Sequence, residues 1–319
     1  MLDQVGPTGW FIGKDAVRRI ATLAGRYRAL LLARAIRETG LDQPHYAPWM
    51  AARSSFPIRD RPFPPAHAEC GSLITDPGIL AHLAAIFCDA GGHALQRIVP
   101  YDIESEIFTD IGAAGPSCAE LVTRGKSLLR TVSPWLGELL DSLLFWIVPI
   151  RHRPSGKPKK RGFSTPLCYG VFFLTFEDRS LNDPEESALQ MAVDLAHEAG
   201  HHALYAYQSA DTLIKGDMTV PVYSAVRQTN RPAIMSLHAS AALAFMISLL
   251  RDTLGQPTTS PSQATLAARW RREFEGEQTR ALRELGGAVS FTPVGKRIFT
   301  DFVAQLSDHP SDETLGLVG

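Results

Sequence analysis

The chain predicts an α+β fold that is predominantly helical, and three observations carry that reading. Long stretches repeat apolar residues at spacings of three and four, as amphipathic helices do. Only two short runs are aromatic and β-branched enough to be strands, and Pro- or Ser-rich segments separate the periodic stretches. The 319 residues, 45% hydrophobic and 20% charged with a formal net charge of −1, are enough for a large buried core. That charge balance gives no footprint for nucleic acid and no global field to steer a charged partner.

The elements follow in order. Residues 14–39 read as one long helix, with Gly40 placed to close it. Six prolines between 44 and 66 make that stretch an irregular connection. Two shorter helices are expected near 76–90 and 116–130. LLFWIVPI (143–150) ends as an apolar strand, RHRPSGKPKKRGFSTP (151–166) is a polar loop, and LCYGVFFLTF (167–176) is a second strand. The two strands are expected to pair antiparallel across the loop. A helix then starts at Asn182 or Asp183 as cap, with Pro184, Glu185 and Glu186 in its first turn. It runs to about Tyr207. PVYSAVRQTNRP (221–232) reads as a loop, Pro232 opens a long apolar helix to about 252, and amphipathic helices cover roughly 262–285 and 293–307.

The cysteines, Cys70, Cys88, Cys118 and Cys168, form no CxxC pair, and the first residues carry no basic-then-apolar leader pattern. The most apolar run, 135–150, is too short to span a bilayer and contains Glu138 and Asp141. A cytoplasmic protein with no membrane or nucleic-acid partner is the expectation.

Chemistry enters with HEAGH, His197 to His201. In a helix these two histidines lie one turn apart on the same face, so both imidazoles can point at one ion. Glu198 is turned about 100° from His197, within reach of a water on that ion but badly placed to bind it. A bare reading of this motif is a zinc peptidase, in which Glu198 is the general base.

Two histidines do not complete a metal site. The continuation HExxHxxGxxH fails, because its glycine and third histidine positions hold Leu204 and Tyr207. A downstream glutamate ligand fails too, since none occurs between Glu198 and Glu273. The next helix offers His238, set inward by Ile234, Leu237, Ala241, Ala242 and Phe245 at helical spacing. A lone histidine on such a face is ordinarily a core residue; the missing glutamate and the helix order favour ligation. His202, Asp211 and Asp217 are the alternatives. Three imidazoles suit zinc with an open position, or iron(II) as a variation on the usual carboxylate-containing triad.

The strand pair, HEAGH, the segment Arg227-x-x-x-Arg231-Pro232 followed by His238, and FTPVGKRIFTDFVAQL (291–306) together resemble one family. It is the bacterial HExxH-motif family of natural-product gene clusters, described as iron(II)- and 2-oxoglutarate-dependent β-hydroxylases of ribosomally made precursor peptides. The resemblance spans roughly residues 140–310. It implies a gluzincin-like core, with a short antiparallel sheet beside the HExxH helix and a second ligand-bearing helix. It divides the chain into a mostly helical region, 1–130, and a metal-binding catalytic region, 131–319. It implies Fe(II) on His197, His201 and His238, with 2-oxoglutarate and O2 as co-substrates. Arg231 and Arg227 would offer a bidentate partner to the far carboxylate of 2-oxoglutarate. Glu198 would orient substrate or support a ligand. Zn(II) and peptide cleavage form the alternative, and a non-catalytic recognition protein of a biosynthetic cluster is a third reading. The six Lys and Arg residues of 151–161 make a solvated loop or a rim for an acidic precursor peptide. The nearby strand could bind that peptide by strand addition.

Overall fold

A computed structural model describes residues 9–39, 71–87, 105–152, 162–176, 183–224 and 229–307. Eight helices are described: α1 Lys14–Thr39, α2 Pro77–Phe87, α3 Gly115–Val132, α4 Pro134–Leu143, α5 Pro184–Gln208, α6 Ala233–Gly255, α7 Pro261–Ala288 and α8 Pro293–Ser307. The strands are β1 Ser72–Leu73, β2 Ser105–Ile107, β3 Trp146–His152, β4 Gly162–Phe163, β5 Val171–Thr175, β6 Pro221–Ser224 and β7 Thr229–Pro232. The fold is α+β and predominantly helical, as the apolar periodicity predicts. The expected helix end at Gly40, the proline-rich stretch 44–66, Cys70, Cys88, the cap Asn182 and most of the basic loop lie outside the described residues.

The chain forms two compact units, each assembled from separated stretches. Unit 1 is 1–24, 129–140 and 199–319; unit 2 is 25–128 and 141–198. Helix α5 belongs to unit 2 through Glu198 and to unit 1 from Ala199.

Unit 2 holds a five-stranded sheet. Strand β3 pairs β5 in parallel, Trp146 opposite Val171 and Ile150 opposite Thr175. This corrects the expected antiparallel pair. Strand β5 is buried throughout and β3 from Trp146 to Ile150, and strands covered on both faces read as unbroken apolar runs in parallel sheets. The antiparallel neighbour of β5 is β4, with Phe163 opposite Phe173, and the antiparallel neighbour of β3 is β2. The run 143–150 ends as a strand, as its sequence predicts, with α4 closing at Leu143 and β3 starting at Trp146. Between α4 and β3 the backbone closes tightly on Gly170, whose carbonyl accepts from both Phe145 and Trp146 amides. Gly170 has φ +93°, and a Cβ there would stand 2.9 Å from the Phe145 ring, so glycine is required.

Unit 1 is built on α6. This is the one helix among the described residues long and apolar enough to cross a membrane, but 83% of that window is buried, which is the burial of a core helix. Its first amides are occupied from outside the helix: Ala233 donates to the Val220 carbonyl and Ile234 to that of Met218. Helix α7 packs along α6 and opens with a capping box, the Ser260 hydroxyl accepting from the Gln263 amide and Gln263 returning the bond. The N-terminal residues close the other side of this core. Phe11 is fully buried against Tyr207, Phe245 and Phe302, and its amide donates to Asp301 at 2.7 Å. The guanidinium groups of Arg19 and Arg297 each lie over the Trp10 ring, 4.3 Å from its centroid.

Candidate metal centre

Asp183 starts the motif helix, as its sequence predicts. Its Oδ1 accepts from the amides of Glu185 and Glu186 at 2.8 and 3.1 Å. His197 and His201 then fall one turn apart on α5. Both are partly exposed, whereas His202 is buried. Close helix approach sets the neighbourhood of this turn. A Cβ on Gly200 would lie 2.6 Å from the Ala241 carbonyl oxygen and 2.8 Å from Ala242 Cα of α6. The motif's glycine therefore lets α6 come in against the α5 backbone.

That approach brings His238 into the site. It is 2% exposed, and its ring centroid is 5.6 Å from that of His201 and 4.4 Å from that of Tyr205. Nε2 of His238 is hydrogen-bonded with Oε1 of Gln208 at 2.7 Å, while its Nδ1 is buried and has no hydrogen-bond partner among the described residues. Burial pushes the imidazole pKa down to about 3, with the charges of His202 and Arg231 adding to the fall. The ring is therefore neutral at ordinary pH. Among the described residues, no group of three or more His, Cys, Asp or Glu side chains stands together as a ready metal cage; His201 and His238 are brought together as neighbours.

Glu198 points elsewhere. Its Oε2 accepts from the Ser164 hydroxyl at 2.5 Å, and its Oε1 is 3.9 Å from His197 Nε2. Gly162 keeps space for it: a Cβ there would be 3.2 Å from Oε1 and 2.7 Å from the Phe173 carbonyl oxygen. The buried carboxylate is thus held against the β4 segment while one oxygen stays near His197.

Within 221–232, read as a loop from sequence, residues 221–224 and 229–232 pair antiparallel as β6 and β7, and this corrects the expectation. Prolines at both ends and only four residues per strand hid it. The hairpin sets the direction of Arg231. It stands opposite Val222, so the two share a face, and Val222 is buried while the next position, Tyr223, is 43% exposed. Arg231 is thereby turned inward, close enough to depress the His238 pKa. Arg227 lies outside the described residues.

The loop alternatives are engaged otherwise. Asp211 Oδ1 accepts from the Leu213 amide at 2.6 Å and the Thr292 hydroxyl at 2.7 Å, holding Leu213 at φ +66°. Asp217 Oδ1 accepts from the amide and hydroxyl of Thr219. Sequence reasoning missed Ser164, Tyr205 and Gln208. A signal existed for two of them, since Tyr205 and Gln208 continue the i, i+4, i+7 stripe from His201.

Compared with family models and with the curated proteins, the chain matches none.

Proposed function

We propose that this chain is an Fe(II)- and 2-oxoglutarate-dependent oxygenase that hydroxylates the β-carbon of a residue in a ribosomally made precursor peptide. The observation that carries the reading is His238. A neutral buried imidazole with an unpartnered nitrogen, beside His201, fits a cation better than it fits an apolar core, where an orphaned polar atom costs about 1–3 kcal/mol. The lack of any glutamate between 198 and 273 supports the same choice of third ligand. His197 and His201 on α5 and His238 on α6 would hold the metal, on a gluzincin-like core. Bound iron would supply oxygen activation coupled to 2-oxoglutarate decarboxylation.

The chain's own residues have the remaining tasks. Arg231, turned to the buried side of its hairpin, offers a planar cation to the far carboxylate of 2-oxoglutarate. An Arg231→Ala variant is expected to bind 2-oxoglutarate about 10–100-fold more weakly, from loss of a charge-assisted pair of about 1.5–3 kcal/mol. Isothermal titration with the Fe(II)-loaded, oxygen-free protein checks this; unchanged affinity removes Arg231 from the site.

One observation favours a second reading. Glu198 keeps an oxygen 3.9 Å from His197 Nε2, a position from which a zinc-bound water could be deprotonated. Glu198→Gln separates the readings. A peptidase should lose roughly 10²–10⁴-fold with its base, whereas the hydroxylase is expected to keep oxygen transfer within about 10-fold. The overall test is anaerobic reconstitution with Fe(II), then mass spectrometry of a precursor peptide after adding oxygen and 2-oxoglutarate. A mass gain of one oxygen, with succinate, supports the proposal. Cleaved peptide without added oxygen overturns it in favour of the zinc peptidase.

A further inference from the structure

Gln208 has no part in the motif, yet among the described residues it is the side chain hydrogen-bonded to the His238 ring. We propose that Gln208 is a positioning residue that fixes the tautomer of His238, so that Nδ1 faces the metal with a lone pair. The inference rests on the reading of His238 as a ligand. It deepens that reading by saying which nitrogen binds and what orients it.

An amide oxygen can only accept, so the Oε1 contact at 2.7 Å requires His238 Nε2 to carry the proton. Nδ1 is then an unprotonated acceptor, buried and without a partner among the described residues. The opposite arrangement turns the Gln208 amide around and puts the proton on Nδ1. It would bury an N–H with no acceptor, and orphaned donors are rarer than under-used acceptors. An exposed lone pair with its other ring nitrogen donated to an oxygen is also how metal-bound histidines are oriented generally. Geometry makes the bond possible. Gln208 sits seven residues beyond His201, near the end of α5, so it lies on the same helical stripe two turns on. Tyr205, one turn before it on that stripe, packs its ring 4.4 Å from His238 and limits the imidazole's rotation.

A merely structural role is a staple between α5 and α6, which either tautomer would serve. Long-range 1H–15N correlation of the full-length, metal-free protein labelled with 15N-histidine distinguishes the two without any variant. The expected result is a protonated Nε2 and an unprotonated Nδ1 at His238; a protonated Nδ1 overturns the proposal. Cobalt(II) alone then serves as the probe of ligation. Gln208→Leu is expected to bind Co(II) about 10–100-fold more weakly, the usual effect of losing a partner behind a ligand. Gln208→Glu, which keeps an accepting oxygen, is expected to restore the Nε2–H tautomer and affinity to within a few-fold of wild type. Equal Co(II) affinity in Gln208→Leu and wild type, with His238→Ala weakened, rejects Gln208 while leaving His238 a ligand. If His238→Ala binds Co(II) as tightly as wild type, the ligand reading fails, and this proposal fails with it.

Discussion

Replacing His238 by alanine or leucine is expected to abolish metal-dependent hydroxylation and to lower metal affinity by more than the 10–100-fold typical of an outer partner. On the proposed reading His238 is one of three imidazole donors, and its loss would leave two on one helix turn. The leucine variant matters because it refills the volume. His238 is 2% exposed among Leu237, Ala241 and Ala242, so a core histidine would be replaced by leucine with little consequence. Truncation to alanine alone would mix ligand loss with a cavity. The rival, His202, is also buried, and His202→Ala is expected to keep metal affinity within a few-fold of wild type. Equilibrium dialysis with Fe(II) under anaerobic conditions measures all three. Wild-type affinity in His238→Leu, or loss in His202→Ala alone, would move the third ligand away from His238.

The second large effect concerns Gly200. A glycine inside a helix ordinarily costs about 1 kcal/mol relative to alanine, so propensity alone says that Gly200→Ala stabilises. Packing says the reverse. The added Cβ would meet the Ala241 carbonyl oxygen at 2.6 Å and Ala242 Cα at 2.8 Å, and backbone atoms cannot swing aside. Overpacking of this kind costs about 1–3 kcal/mol and sometimes more. The expected net result is a loss of about 2 kcal/mol, seen as a fall of several degrees in Tm. Because α6 must move off α5, metal affinity should fall with it. Gly276 on α7 is the control: a Cβ there meets nothing within 4 Å, and Gly276→Ala is expected to gain about 0.5–1 kcal/mol. If the two variants shift Tm alike, close approach does not explain Gly200.

Most helices were legible from the chain because their signals are local. The bounds of α1 and α8, the Asp183 cap and the Pro232 start follow from periodicity and capping within a few residues. Sheet arrangement was not legible. Whether β3 meets β5 parallel depends on which strands flank both of them, and β1 and β2 come from segments some forty to seventy residues earlier. The β6–β7 hairpin was hidden because it lacks an apolar alternation: its second strand, TNRP, offers no hydrophobic side chain larger than proline. Of the candidate centre, the two motif histidines and the inward face of His238 could be read directly. The hydrogen bond between His238 and Gln208 could not, because it depends on how far α6 slides along α5, and Gly200 sets that.

The seat of Phe11 has a consequence in time. Its pocket includes Phe302, and its amide is held by Asp301, 290 positions further along. During synthesis, residue 11 leaves the ribosome 290 residues ahead of Asp301, with Phe302 next after it. At about 5–20 residues per second it must wait on the order of fifteen seconds or more for them. Through that interval a large aromatic side chain and its neighbour Trp10 have no native site. Unit 1 can close around Phe11 only once residues 301 and 302 have emerged, so a nascent chain arrested before residue 301 should present this segment to chaperones rather than fold around it.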